Sequence, residues 1–173
     1  MLRKHYRNRC VPRSNGNRYI FYLSTIGQLD LLGQLYNEIV IPKAVFNEIT
    51  HVGNTDASAK AVPTTAWIKI QTATGQEFIS TLRTELDAGE AEAIALAVEL
   101  NAGRVLMDER LGRAIAMRLG LEVTGVLGIL TAAKRNDLIS EVKPLLDALV
   151  DQVGFWIDRQ LYTEVLQVVG ESA

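Results

Sequence analysis

Three carboxylates are placed where a fold could use them: Glu48, Glu90 and Asp108. They are far apart in the chain. Each lies just past a short apolar run or at the opening of a helical one. Clustered carboxylates repel one another unless they are protonated or bridged by cations. A set of hard oxygen donors suits Mg²⁺ or Mn²⁺. Such an ion can activate water and neutralise a phosphodiester under attack. The chemistry these residue types point to is metal-assisted phosphodiester hydrolysis.

Each acid also has a plainer explanation. In "LDAGEAEAIALAVEL" (residues 86–100), Asp87 followed by Glu90 matches a capping box with Asp as the cap. Glu90 shares a helical stripe with Ile94 and Ala97, which should face the core, so it sits at the mouth of a buried face. Glu92 is turned about 200° away and shares its stripe with Glu99, a solvent-like position. Asp108 directly follows "RVLM", at the carboxyl end of a strand, where open α/β sheets bind ligands. It could equally cap the helix that begins at Glu109. Glu48 has apolar Ala44 and Val45 four and three residues before it, which would turn it toward the same sheet edge.

Arg110 and Arg113 lie next to Asp108 at a helix start and offer a bidentate grip on phosphate, or else a solvated helix face or an ion pair with Glu109. Thr124 and Gly125, past another strand, either line the crevice or form a turn. Trp67 and Trp156 read as core or interface residues rather than base-stacking platforms. No Walker-type phosphate loop, G-x-G-x-x-G fingerprint or G-x-S-x-G elbow occurs, which argues against a nucleoside triphosphatase, a dinucleotide enzyme and a serine hydrolase.

The elements that must position these residues alternate. "NEIVIP" (37–42), "AWIKIQ" (66–71), "GRVLM" (103–107) and "LEVTG" (121–125) read as strands. "KAVFNEIT", the stretch from about Gln76 to Leu100 with a break near residues 87–89, "ERLGRAIAMRLG", "VLGILTAAKRND", "SEVKPLLDALVDQV" and "DRQLYTEVLQVV" read as helices. Ser140 is the expected N-cap of the fifth, and "GFWI" an extra strand before the last. Residues 51–65, small and polar, read as a mobile loop. Alternating strands and helices imply an α/β fold with a parallel sheet.

Composition sets limits. At 173 residues and 48% hydrophobic, the chain suits one domain with a real core. One cysteine excludes a disulfide framework and suits a reducing cytoplasm. No apolar run reaches the roughly 18 residues of a membrane span. The net charge of −2 hides an asymmetry: residues 1–22 hold six of the 18 basic residues and no acid. The segment 1–18 is therefore set apart as an atypical basic start, either disordered or able to hold phosphate backbones. The body, residues 19–173, is acidic and would need cations to approach nucleic acid.

"IGQLDLLGQLYNEIVIPKAVFNEI", "LDAGEAEAIALAVEL", "VLMDERLGRAIAMRLGLEVTGVLGILTAAK" and "FWIDRQLYTEVLQVVGE" together resemble the PIN-domain family. Within it they resemble a bacterial, VapC-like subgroup described as predicted nucleic-acid-binding. The likeness runs from about Ile20 to the C-terminus. It implies a three-layer α/β/α sandwich around a mainly parallel sheet and a Mg²⁺- or Mn²⁺-dependent ribonuclease, including the toxin of a toxin–antitoxin pair. RNA, a cognate antitoxin and a second copy are the implied partners, with Leu161, Val165 and Val169 on the last helix available for a homodimer or else for packing within the subunit. Of the family's four acidic positions, the resemblance implies Glu48 for the second, Glu90 or less readily Glu92 for the third, and Asp108 for the fourth. The first falls near Ser14 and Asn15, so that Asn15 stands where the family has an aspartate. An amide oxygen can touch a metal but brings no charge. The alternative reading is thus a catalytically impaired nucleic-acid-binding or protein-interaction module.

Overall fold

The computed structural model describes residues 9–12, 18–51 and 55–172. In chain order they form β1 (Arg9–Pro12), α1 (Arg18–Thr25), α2 (Asp30–Tyr36), β2 (Glu38–Pro42), α3 (Lys43–Thr50), α4 (Ala57–Ala61), a 3₁₀ turn (Val62–Thr64) and β3 (Ile68–Gln71). Then come α5 (Gln76–Leu82), α6 (Ala88–Glu99), β4 (Arg104–Leu106), α7 (Arg110–Arg118), β5 (Glu122–Thr124), α8 (Val126–Arg135), α9 (Lys143–Val153) and α10 (Arg159–Val168).

Among the described residues the strands form one parallel sheet in the order β3-β2-β1-β4-β5. Strand alternation divides the core into two layers. Ile39, Ile41 and Leu106 face one side, where α1, α2, α3, α8, α9 and α10 pack. Val40, Val105 and Met107 face the other, beneath α5, α6 and α7. The result is the three-layer α/β/α sandwich implied by the resemblance. In α6, residues 93–97 are all buried, which is why this helix is apolar on every side. Trp67 lies against Gly33 of α2, where a Cβ would stand 2.8 Å from its indole, so this tryptophan is a packing residue as expected.

Four local expectations change. The segment 1–18, set apart from the domain, contributes β1, which lies at the centre of the sheet between β2 and β4. Residues 51–65 are not wholly loop: α4 and the 3₁₀ turn form there because Ser58 and Val62 are buried. Ser140 does not cap α9. That helix begins after Val142, and its first N–H groups, from Val142 and Lys143, donate to the Glu171 carboxylate at 2.8–3.0 Å. "GFWI" is not a strand. Gly154 ends α9 with φ 65°, and the chain turns so that the Phe155 N–H reaches Leu149 O at 3.0 Å.

Beyond β1 the strand order reverses, because β2 and β3 lie to one side and β4 and β5 to the other. The crevice outside the carboxyl ends at such a switch is where open α/β sheets place ligands. Among the described residues no helix is long and apolar enough to cross a membrane.

Candidate active site

Asp108 follows β4 by two residues. The Met107 N–H donates to Thr124 O at 2.9 Å, so pairing with β5 extends to the residue before Asp108. Asp108 Oδ1 then accepts the Val126 N–H at 3.3 Å, at the first turn of α8. The carboxylate thus caps α8 rather than the helix that follows it, as the sequence had allowed. α7 starts after Glu109 with no side-chain cap. The helix dipole of α8 favours a negative charge at this point. Gly125 makes the contact possible, because a Cβ there would collide with Asp108 Oδ1. Arg113 is tied into the same junction, its Nη1 donating to Met107 O at 2.9 Å.

Glu90 reaches the β4–α7 junction from the other side. The capping box is formed: Asp87 Oδ1 accepts the Gly89 and Glu90 N–H groups at 3.0 and 2.8 Å, and Glu90 Oε2 accepts the Asp87 N–H at 3.2 Å. The cap does not account for all of Glu90. The residue is only 4% exposed, and its Oε1 faces Gly112 on the first turns of α7. A Cβ on Gly112 would lie 2.5 Å from that oxygen and 2.5 Å from Met107 Sδ.

Glu48 belongs to a different grouping. It is exposed on α3, and its pKa is raised. Removal from water contributes most, followed by the negative charges of Asp87 and Glu92. The acids at the entrance of α6 are therefore within electrostatic reach of α3. Glu92 is half-buried rather than fully in solvent. Glu99, the other member of its stripe, accepts the Thr74 and Gly75 N–H groups at 2.7–3.0 Å, next to the start of α5. The structure brings Glu90 and Asp108 to the β4–α7 junction, and Glu48 toward Asp87 and Glu92. Among the described residues no group of three or more His, Cys, Asp or Glu side chains could hold a metal ion. Asn15 lies outside the described residues. Arg110 is exposed at the start of α7.

Beside Asp108 opens a cleft of about 660 Å³. It runs along α8 from Arg104 at the start of β4 to Asp108 and Arg113, past Thr124 and Gly125, with Trp156 in its wall. Sequence reasoning missed Gly112, whose role depends on a residue 22 positions away. Trp156 is 82% exposed, which removes the core option and leaves the interface one.

A family model described as a PIN domain matches residues 17–171. The chain belongs to the PIN-domain family. No curated protein and no solved structure matches the chain. The PIN domain is a nuclease-type fold, and PIN domains generally depend on divalent metal. In this PIN domain Glu90 and Asp108 are hard oxygen donors, the type such an ion takes. A Mg²⁺ site commonly takes one or two carboxylates and completes its shell with water and substrate phosphate. A protein set smaller than three is compatible with that mode of binding.

Proposed function

We infer that this PIN domain is a metal-dependent endoribonuclease that hydrolyses RNA phosphodiesters. The observation that supports this reading most is that two carboxylates adjoin the β4–α7 junction, Glu90 Oε1 beside Gly112 and Met107, and Asp108 Oδ1 beside Gly125 and Val126. Glu90 and Asp108 are the residues that would hold Mg²⁺ or Mn²⁺. When bound, the ion supplies Lewis acidity and a lowered pKa for water. The chain's own part is positioning. The Asp87 N–H holds the Glu90 carboxylate, and the Val126 N–H holds that of Asp108. Arg113, fixed by Met107 O, places a guanidinium in the cleft for a phosphate oxygen.

Calorimetric titration with Mn²⁺, alongside RNA cleavage by the wild type and Asp108→Asn, tests the reading. Wild type should bind the ion with micromolar to millimolar affinity and cleave RNA, and Asp108→Asn should lose both. Wild type that neither binds Mn²⁺ nor cleaves RNA would sink the assignment.

A second reading, an impaired RNA-binding module, is favoured by two observations. No acid precedes Asp30, and no three-carboxylate group occurs among the described residues. In that case the basic start supplies the affinity. Truncation at residue 18 would remove the central strand, so Arg3, Lys4 and Arg7 should instead be neutralised together. Weakened RNA binding with no Mn²⁺ uptake in the wild type would select this reading. Action as the toxin of a pair, restrained by an antitoxin, and homodimerisation through the exposed side of α10 extend the first reading. Leu161, 40% exposed, supports the dimer, whereas Val165 is buried within the subunit.

A further inference from the structure

The geometry points to Trp156 as a stacking platform for an unpaired nucleotide of the RNA strand whose neighbouring phosphate lies at Asp108 and Arg113. This subsite rests on the ribonuclease reading and adds a substrate preference to it.

Trp156 is a large apolar ring left 82% exposed, while Trp67, the other tryptophan, is packed against α2. Its backbone is fixed on both sides. Before it, Gly154 turns the chain, and the Phe155 ring packs edge-on against buried Tyr22, with centroids 5.5 Å apart and planes at 79°. After it, Asp158 caps α10 by accepting the Leu161 N–H at 2.9 Å. With Phe155 held inward, Trp156 is directed outward from a braced turn.

The ring shares one cleft with Asp108, Arg113 and Arg104. Arg104 pairs with Glu122 at 2.5 Å and lies over the Tyr36 ring, so its charge is partly offset. Arg113 sits next to Asp108 and complements a phosphate there. Arg104 and Asp108, two of its lining residues, stand roughly 13 Å apart at strand spacing. A cleft of about 660 Å³ falls within the range of small-ligand sites. An aromatic face beside a fixed cation, here Arg113, is the arrangement that single-stranded nucleic acid uses, since every base has a π-face. A duplex keeps its bases stacked and cannot use it.

The experiment measures binding of a short fluorescein-labelled single-stranded RNA by anisotropy, with EDTA present to prevent cleavage. Trp156→Ala and Trp156→Leu should each weaken binding roughly tenfold, and Trp156→Phe should restore most of it. A hairpin duplex of equal length should bind all four proteins alike. Equal affinity of Trp156→Ala and wild type would overturn the subsite, as would a Leu variant that binds as well as Phe. Sedimentation is measured in parallel. A dimer that falls to monomer in Trp156→Ala without any change in RNA affinity assigns the ring to contact with a second copy, and also overturns it. Trp156-dependent binding without Mn²⁺-dependent cleavage leaves the subsite standing and removes the nuclease reading. Cleavage by a protein whose RNA affinity ignores Trp156 does the reverse.

Discussion

Glu90 Oε1 faces the bare Cα of Gly112, 2.5 Å from where a Cβ would stand. Within a helix, replacing Gly by Ala normally gains about 1 kcal/mol. Here the added methyl would press on a buried carboxylate and on Met107 Sδ. Gly112→Ala should therefore lower the melting temperature, with about 1–3 kcal/mol of crowding outweighing the helix gain. Thermal unfolding of the pair decides it. A variant as stable as the wild type would mean that Glu90 has room to move.

Gly125→Ala isolates Asp108. Gly125 has φ −101° and ψ 178°, which alanine adopts without strain. The variant should fold with unchanged circular dichroism. Its methyl would displace the Asp108 carboxylate from the Val126 N–H. Misplacement of a reacting group by about 1 Å can cost roughly 100-fold, so Mn²⁺-dependent RNA cleavage should fall by about that factor. Full activity would remove Asp108 from the chemistry.

The pH dependence of stability should carry the mark of Glu48. Its folded pKa lies above the ordinary 4.5, through desolvation first and then Asp87 and Glu92. The stability it contributes is thus present below the unfolded value and lost as pH rises through the folded one. Glu48→Gln should be more stable than the wild type near pH 7, and the gap should close near pH 4. Urea unfolding at the two values reads the difference, and a gap of opposite sign at neutral pH would contradict the crowding of charge at the entrance of α6.

Glu171 should behave in the opposite sense. Partial burial raises its pKa, but the Val142 and Lys143 N–H groups and Lys134, 3.5 Å away, outweigh this and hold it below 4.5. A lowered carboxyl pKa gives stability above the unfolded value that is lost as pH falls. Glu171→Gln should be less stable than the wild type at neutral pH, with the difference shrinking in acid. Chemical unfolding across that range checks it. A deficit that persists unchanged into acid would assign the effect to packing.

The sequence revealed what local pattern encodes. "NEIVIP", "GRVLM" and "LEVTG" became β2, β4 and β5, and the Asp87/Glu90 capping box formed as its spacing required. β1 was not legible. "RCVP" is four residues long, starts with a charge and ends in proline, a residue that argues against a central strand. It forms because β2 and β4 pair with it from both sides. The partners that fix the candidate site are equally remote. Asp108 caps a helix 18 residues on, and Glu171 caps one 29 residues back. "GFWI" was misread as a strand because an apolar run ahead of a helix resembles one until Gly154 turns it. Glu90 was singled out correctly as the buried acid, because its stripe of small and apolar neighbours follows from helix geometry alone.

The central place of β1 has a consequence for how the protein is made. Residues 9–12 are made well before residues 104–106, their second strand partner. Until residues 104–106 have emerged, that strand can bond on one flank at most. Closure of the sheet must then wait for β4, and the nascent chain carries an open edge throughout that interval, a state prone to mispairing.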